Sequence, residues 1–209
     1  LITGGLSGIG LATATWLTTQ GARRLLLVGR RPPQPAVQAQ LDALTTQGVT
    51  VTVVQCDVTE RAQVERLLAG IEAAHPLRGV IHSVGVLDDG ALLQQRWERF
   101  AAVLAPKVQG AWHLHTLTSG MTLDFFVLYS SAAGLLGSRG QANHAAANAF
   151  LDAFAHYRQG QGLPALSINW GAWAEIGSAA AFVKQSSSAT RGYRAITPAL
   201  GIAALAGLL

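Results

Sequence analysis

The stretch Leu1–Gly10, LITGGLSGIG, decides the fold of this chain. It begins as the end of a strand, runs through a glycine-rich loop and leads into a segment in which Ile9, Ala12 and Trp16 recur at helical spacing. In such a strand–loop–helix unit, glycines permit a tight turn and let backbone N–H groups approach a pyrophosphate at the positive end of the helix. We therefore predict a dinucleotide-binding turn that comprises Thr3, Gly4, Gly5, Leu6, Ser7, Gly8, Ile9 and Gly10.

Further strand and helix patterns alternate along the rest of the chain. The predicted strands are Leu25 to Val28, Val49 to Gln55, Gly79 to His82, Leu123 to Leu128 and Ala165 to Trp170. The predicted helices are about Val37 to Thr46, one that follows an N-cap at Thr59, Trp97 to Thr118, and one from about Asn143 to Tyr157. This alternation predicts an α/β fold: a Rossmann-like, doubly wound parallel sheet with helices on both faces and ligands at the carboxyl edge of the strands.

The composition indicates a single domain over residues 1–209. Half of the residues (50%) are hydrophobic, which is enough material for one core. Charged residues make up 12% of the chain, about half of the usual roughly 25%, so we expect another module to cover part of the surface. Because the chain opens within a strand pattern and stops within a helix pattern, we also expect it to be a fragment of a larger multidomain chain.

Charge, hydropathy and cysteine content argue against several partner classes. The net charge of +4 is spread along the chain without a basic stripe, so no nucleic acid is expected. The apolar run from Ile196 to Leu209 is too short to span a bilayer, so no membrane is expected either. The single cysteine, Cys56, fits a reducing compartment, and we predict a cytoplasmic location.

Two other chemistries are also disfavoured. His113 and His115 are two residues apart on a predicted helix and point to different sides, so we predict no metal site. Ser131 does not lie in a Gly-x-Ser-x-Gly elbow, which argues against a hydrolase.

Candidate cofactor contacts follow the second and third predicted strands. Arg30 and Arg31 lie where an NAD-binding fold carries an acidic residue, and guanidinium groups there suit a 2′-phosphate, which favours NADP. Alternatively, the two arginines only solvate the loop before the next two prolines. Asp57 and Val58 are candidates for the adenine site, and Asp57 could equally help to cap the following helix.

A polar cluster is predicted within Tyr129–Phe150, YSSAAGLLGSRGQANHAAANAF. Ser131 lies where an apolar strand ends, and His144 and Asn148 are four residues apart, on one face of a predicted helix. A hydroxyl that faces an imidazole and a carboxamide in an apolar setting is suited to a reaction site. The polar segment Ala179 to Pro198 is expected to form a flexible lid over that site.

Several short motifs then combine: Thr3-Gly4-Gly5 through Gly10, Leu87-Asp88-Asp89, Lys107 in Pro106-Lys107-Val108, Ser131 thirteen residues before position 144, Gly140-Gln141-Ala142-Asn143, Asn148 in AAANAFLD, and Asn169-Trp170-Gly171. Together they resemble the ketoreductase domain of type I modular polyketide synthases, a branch of the short-chain dehydrogenases. The resemblance covers nearly the whole chain. It implies that the family's upstream structural subdomain and the end of its catalytic half are missing.

The resemblance implies an activity, a cofactor and partners. The activity is NADPH-dependent reduction of a β-ketoacyl thioester, carried on the phosphopantetheine of an acyl carrier protein within a multidomain synthase. The catalytic residues implied are Ser131, position 144, Lys107 and Asn148. The lysine of the family also binds the nicotinamide ribose, although on local context alone Lys107 ranks as a solvated surface charge. Asn148 stands where many short-chain dehydrogenases carry the lysine, and this family places its lysine on the earlier helix.

The departure from the family is His144, which stands where a tyrosine is usual. A phenol has a pKa of about 10 and is protonated at neutral pH, whereas an imidazole with a pKa of about 6.5 is mostly neutral. A nearby ammonium such as that of Lys107 would lower the imidazole pKa further. Three hypotheses follow: His144 donates the proton and the domain reduces ketones, which we favour; the domain binds NADPH but reduces poorly; or it is a non-enzymatic scaffold.

The resemblance also implies a stereochemical outcome. Leu87-Asp88-Asp89 is similar to the motif of ketoreductases that form the D-configured, B-type alcohol. Leu136 stands where the opposite class tends to have tryptophan, and Ala146 resembles the subtype that does not epimerise an α-substituent. The alternative is that Asp88 and Asp89 only solvate a loop.

Overall fold

The computed structural model describes residues 1–178, 180 and 194–209. Its strands are β1 (Ile2–Thr3), β2 (Arg24–Gly29), β3 (Thr50–Gln55), β4 (Gly79–His82), β5 (Phe125–Ser131) and β6 (Leu166–Trp170). All six pair in parallel in one sheet of order β3-β2-β1-β4-β5-β6. The predicted α/β fold with a doubly wound parallel sheet is confirmed.

Helices connect consecutive strands. In the described part of the chain they are α1 (Gly8–Thr19), α2 (Pro35–Thr46), α3 (Arg61–Ala69), α4 (Trp97–Thr118), α5 (Ala133–Leu136), α6 (Ala142–Gly160) and α7 (Pro198–Leu208). The bounds of α4 match the prediction, and Pro106 lies inside this helix. A further 3-10 turn covers Leu92–Gln94.

The strand order reverses between β1 and β4. β2 and β3 lie on one side of β1, whereas β4, β5 and β6 lie on the other. Thr3 at the end of β1 is in register with His82 at the end of β4. Such a reversal leaves a crevice beyond the carboxyl ends of the two strands, which is where open parallel sheets bind ligands. The glycine turn leaves β1 at this crevice.

Helices cover both faces of the sheet, because successive strand residues point to opposite sides. On one face, Val28, Val80 and Leu128 of the strands pack with apolar residues of α3, α4 and α6. On the other face, Leu27 and Ile81 pack with apolar residues of α1, α2 and α7. Central strands are therefore apolar on both sides, which explains the continuous apolar runs in the sequence.

Two local predictions differ from the structure, and one short helix was not predicted. Thr59 is not an N-cap: Glu60 precedes α3, and Thr59 instead donates its N–H and Oγ1 to Asp57 Oδ1 at 3.0 and 2.8 Å. β5 continues to Ser131, beyond the predicted end at Leu128, because the polar residues at its end pair with β6. The loop after β5 contains the short helix α5, whose four residues are too few to show a helical period.

The segment predicted to be a lid, Ala179 to Pro198, lies largely outside the described residues. Near the end of this segment, Ile196 forms a parallel bridge with Trp173, and its carbonyl accepts from the Ala174 N–H at 2.9 Å. Within the described residues, no helix has both the length and the apolar character needed to cross a membrane.

Candidate active site

The glycine turn requires glycine at several of its positions. Gly4 and Gly8 have φ of +69° and +50°, which L side chains rarely adopt. A Cβ on Gly10 would lie 2.3 Å from the Gly4 carbonyl oxygen, so only glycine fits there. The Gly4 N–H donates to the Val28 carbonyl at 2.8 Å, which ties the turn to β2. Because the first N–H groups of α1 have no acceptor within the helix, the turn fits a pyrophosphate.

The two candidate 2′-phosphate ligands lie beside this turn. Arg30 and Arg31 are exposed just beyond β2, and within the described ranges neither forms an ion pair. Gly29 packs against the turn, since a Cβ there would lie 2.8 Å from Leu6 Cδ1. The chain therefore places both arginines just beyond the glycine turn, with exposed side chains whose charge is available to a phosphate.

Asp57 and Val58 have structural contacts of their own. Asp57 stabilises the turn before α3 by accepting from Thr59, as described above. The Val58 side chain is buried against α4, where a Cβ on Gly110 would lie 2.8 Å from Val58 Cγ2. Its carbonyl accepts from His113 Nδ1 at 3.0 Å. Because the Val58 side chain is buried, only the backbone of this residue can contact a cofactor.

Lys107 is not a surface charge. Its side chain is only 5% exposed, and Nζ donates to the Tyr129 carbonyl of β5 at 2.7 Å. Burial lowers the Lys107 pKa to about 8, against a smaller opposing effect of the Asp152 carboxylate. In the described part of the chain no carboxylate forms an ion pair with it. An unpaired buried ammonium of this kind is costly, which is typical of a functional site.

Ser131, His144 and Asn148 lie at the junction of β5 and α6. Ser131 is the last residue of β5, and its Oγ accepts from the Ala133 N–H at 3.2 Å. The preceding residue, Ser130, donates its hydroxyl to the Asn148 carbonyl at 3.1 Å. Asn148 is fully buried and donates Nδ2 to the His144 carbonyl at 2.7 Å. The strand end is thus bonded to the helix turn that carries the predicted catalytic residues.

His144 is held in its neutral form. Burial lowers its pKa to about 4, the nearby Lys107 ammonium lowers it as well, and Asp89 opposes them. Among the described residues, its buried Nδ1 has no hydrogen-bond partner, and the same is true of Asn148 Oδ1. The two residues are one helical turn apart on α6, and these two atoms remain available to a ligand or a water molecule.

The segment Leu87–Asp89 is tied to α4 and α6. Arg99 of α4 binds the Asp88 carboxylate through Nε at 2.8 Å and through Nη2, and this pairing lowers the Asp88 pKa. The Asp89 carboxylate accepts from Gln141 Nε2 at 2.9 Å, just before α6. Asn143 of α6 donates to the Asp88 carbonyl at 2.8 Å. The two aspartates therefore order this loop next to the start of the helix that carries His144.

Sequence reasoning missed three residues that shape the site: His82, Arg99 and Asn143. His82 is fully buried, with Nδ1 2.8 Å from Thr3 Oγ1 and Nε2 3.0 Å from the Pro106 carbonyl. A histidine at the end of an otherwise apolar buried strand was the available signal. Asn143 belongs to a motif of the family resemblance, although no role was assigned to it, and Arg99 gave no signal because its contact joins residues far apart in sequence.

A metal centre finds no support in this part of the molecule. Within residues 1–178, 180 and 194–209, no group of three or more His, Cys, Asp or Glu side chains could hold a metal ion.

Comparison with known proteins gives one consistent result. The family model described as KR domain matches residues 1–175. Polyketide synthase GfsA of Streptomyces halstedii is 51% identical over 180 residues, which cover 86% of this chain and 2% of that protein. Phthioceranic/hydroxyphthioceranic acid synthase of Mycobacterium tuberculosis is 43% identical over 214 residues, which cover 100% of this chain and 10% of that protein.

A solved structure, "Structure of A-type Ketoreductases from Modular Polyketide Synthase", superposes with a TM-score of 0.94 at 39% identity. The match covers 99% of this chain and 44% of that chain. The present chain therefore spans less than half of that solved structure and a tenth or less of the two synthases.

Proposed function

Because this chain belongs to the KR domain family of polyketide synthases, we propose that it reduces a β-ketoacyl thioester with NADPH. The thioester is carried on the phosphopantetheine of an acyl carrier protein, and the product is the β-hydroxyacyl thioester. The acyl carrier protein and other domains of the same synthase are the proposed partners. The observation that carries the proposal is the unpaired, buried Lys107 ammonium beside the neutral His144, at the carboxyl edge of the sheet.

The cofactor is held by the crevice between β1 and β4. The glycine turn and the N-terminus of α1 offer backbone N–H groups to the pyrophosphate. Arg30 and Arg31 offer their unpaired charges to the 2′-phosphate, which selects NADPH over NADH. Asp57 and the backbone of Val58 lie at the end of the neighbouring strand and line the proposed adenine site. When bound, NADPH supplies the hydride.

Ser131 and His144 hold the oxygen of the ketone. The Ser131 hydroxyl donates one hydrogen bond, and the neutral imidazole of His144 donates another through Nε2–H. These donors stabilise the negative charge that develops on the oxygen as the hydride adds. As Nε2 gives its proton to the alkoxide and completes the alcohol, the buried Nδ1 accepts a proton from a water molecule, so the ring stays neutral and the water is left as hydroxide to be neutralised from solvent.

Lys107 and Asn148 assist this chemistry without donating to the ketone oxygen. The Lys107 ammonium stays charged at neutral pH, since its pKa is about 8, and it places a positive charge near the developing alkoxide. Asn148 fixes the helix turn of His144 by donating to the His144 carbonyl. Its buried Oδ1 is the acceptor that a proton-carrying water needs.

One observation favours a second candidate function, a KR-like domain that binds NADPH but reduces poorly. With a pKa of about 4, fewer than about one His144 in several hundred is protonated at neutral pH. The neutral ring is a weak acid, and it is shorter than the phenol that the family usually carries. In that case the keto group passes through the domain unreduced.

We further propose the B-type, D-hydroxy outcome. Asp88 and Asp89 order the loop against Arg99, Gln141 and Asn143, which places Leu87 beside the start of α6. Leu87 is 37% exposed, so its side chain is available to guide the thioester into one orientation. Chiral chromatography of the hydroxyacyl product tests this proposal, and an L-configured product overturns it.

The decisive experiment compares the native protein with Ser131→Ala and His144→Tyr. Each is given NADPH and a β-ketoacyl thioester, and cofactor binding is measured separately from turnover. Reduction by the native protein that Ser131→Ala lowers about 10²-fold or more supports the proposed function, because one oxyanion donor is lost. NADPH binding without turnover, with turnover restored by His144→Tyr, supports the second candidate. Absence of NADPH binding overturns both.

A further inference from the structure

His82 lies at the end of β4, next to the proposed cofactor site, yet no step described above uses it. It ends β4, at the point where the strand order reverses, and its side chain is fully buried. Both ring nitrogens are nevertheless engaged, Nδ1 with Thr3 Oγ1 at 2.8 Å and Nε2 with the Pro106 carbonyl at 3.0 Å. Because a buried ring nitrogen without a partner is costly, these two contacts hold the His82 ring in one position.

The two contacts determine which nitrogen carries the proton. The Pro106 carbonyl can only accept, so Nε2 must be the donor. The ring is uncharged, because burial and the neighbouring Lys107 ammonium lower the His82 pKa to about 3. Nδ1 is therefore the acceptor, and the Thr3 hydroxyl donates to it. His82 thus has one defined tautomer, and each nitrogen has one defined partner.

These partners belong to the two halves of the site. Thr3 is the residue from which the glycine turn starts, and Pro106 immediately precedes Lys107 on α4. Gly110, one turn further along α4, lets that helix rest on the imidazole, since a Cβ there would lie 3.0 Å from His82 Cε1. The ring therefore sits directly between the dinucleotide turn and the helix turn that carries the ammonium.

We propose that His82 is a positioning residue that fixes Lys107 relative to the glycine turn. The effect of His82 on turnover with NADPH rests on the proposed function. Its contacts with Thr3 and Pro106 do not depend on that function. The Nε2–H donor holds the Pro106 carbonyl, which orients Lys107 so that Nζ reaches the Tyr129 carbonyl at 2.7 Å. The Nδ1 acceptor ties the same ring to the strand that opens the cofactor turn.

A pair of amide variants separates the two contacts. In His82→Gln the side-chain amide reaches the position of Nε2 and can still donate to Pro106. In His82→Asn the shorter amide lies near the position of Nδ1, so the contact with Thr3 is kept and the contact with Pro106 is lost. His115→Gln is the matched control. His115 is also a buried histidine and lies on α4, but its hydrogen-bond partner is Arg158, which is not part of the site.

We expect His82→Asn to lower kcat/KM for NADPH by about 10- to 100-fold, because small displacements of a positioned group have effects of this size. His82→Gln should restore most of that loss, and His115→Gln should not change kcat/KM at matched folded fraction. Equal effects of His82→Asn and His82→Gln, or of His82→Asn and His115→Gln, would overturn the proposal.

Two NMR measurements do not depend on activity. Imidazole ¹⁵N shifts of the native protein should show the Nε2–H tautomer for His82, and an Nδ1–H tautomer overturns the proposal without any variant. The Lys107 side chain should titrate near its lowered pKa of about 8 in the native protein and move toward the ordinary 10.5 in His82→Asn, as its turn loosens. A native protein that fails to bind NADPH refutes the proposed function, whereas these two readings still decide the role of His82.

Discussion

The pH dependence of hydride transfer distinguishes a neutral from a charged His144. The His144 pKa is lowered to about 4 by burial first and by Lys107 second. If the neutral Nε2–H is the donor, lowering the pH from about 7 to about 5.5 leaves the working form almost fully populated. If the imidazolium is the acid, the same change increases its population steeply.

The size of the difference follows from this pKa. Roughly one His144 ring in a thousand is protonated at pH 7, and roughly one in thirty at pH 5.5. An imidazolium mechanism therefore predicts an increase of about thirtyfold over this interval, whereas the neutral mechanism predicts a change of less than about twofold. On the alkaline side, the rate should fall above a pH of about 8, where the Lys107 ammonium loses its proton.

The assay is single-turnover oxidation of NADPH, followed in a stopped-flow instrument across the pH range with a saturating β-ketoacyl thioester. Single turnover is needed so that product release does not hide the chemical step. His75→Ala is the control, because His75 is exposed and precedes the amino end of β4, whereas the site lies at the carboxyl edge of the sheet. A thirtyfold acceleration in the native protein that His75→Ala retains would refute the neutral-donor mechanism.

Three further predictions concern the cofactor site and the fold. Arg30→Ala and Arg31→Ala, each made alone, should weaken NADPH binding about 10- to 100-fold and leave NADH binding unchanged in a fluorescence titration, since one charge-assisted hydrogen bond contributes about 1.5–3 kcal/mol; equal losses for both cofactors would contradict the assignment. Gly10→Ala should destabilise the fold by about 1–3 kcal/mol in urea and abolish NADPH binding, because its Cβ would lie 2.3 Å from the Gly4 carbonyl oxygen. Gly120→Ala, with no atom within 4 Å of its added Cβ, is the matched control and should change neither. Finally, the folded-state pKa of His82 is lowered from 6.5 to about 3, so the unfolded chain binds its proton first and stability is lost as the pH falls below 6.5. This loss reaches about 2 kcal/mol at pH 5, and urea unfolding should show a pH dependence smaller by that amount in His82→Gln.

Lys107 illustrates how far local sequence can mislead. A lysine beside a proline in a helix is usually a solvated charge, and only the resemblance to ketoreductase domains indicated a role for it. In the structure its ammonium is buried against the Tyr129 carbonyl, a contact between residues 22 positions apart. Burial of this side chain depends on how α4 packs over β4 and β5, which no local pattern encodes.

His144 and Asn148 show the opposite case. Their placement on one face of a helix was predicted from a spacing of four residues, and the structure confirms that both lie on α6, joined by a hydrogen bond from Asn148 Nδ2 to the His144 carbonyl. The lowered His144 pKa was expected from a nearby ammonium alone, but its largest cause is burial. The direction of the His144 pKa shift could be predicted from the chemistry of neighbouring charges. Its dominant cause, burial, depends on how the helices pack.

The sequence by itself determined the parallel α/β sheet, the position of the glycine turn and the helix that carries His144. These features follow from hydrophobic period and glycine placement, which act over a few neighbouring residues. Only the tertiary structure decided that Lys107 is buried, that Asp88 and Asp89 bind α4 and α6, and that His82 joins Thr3 to Pro106. The physical reason is that each of these contacts links separate elements across the sheet edge, so it exists only once the strands have been ordered and the helices packed.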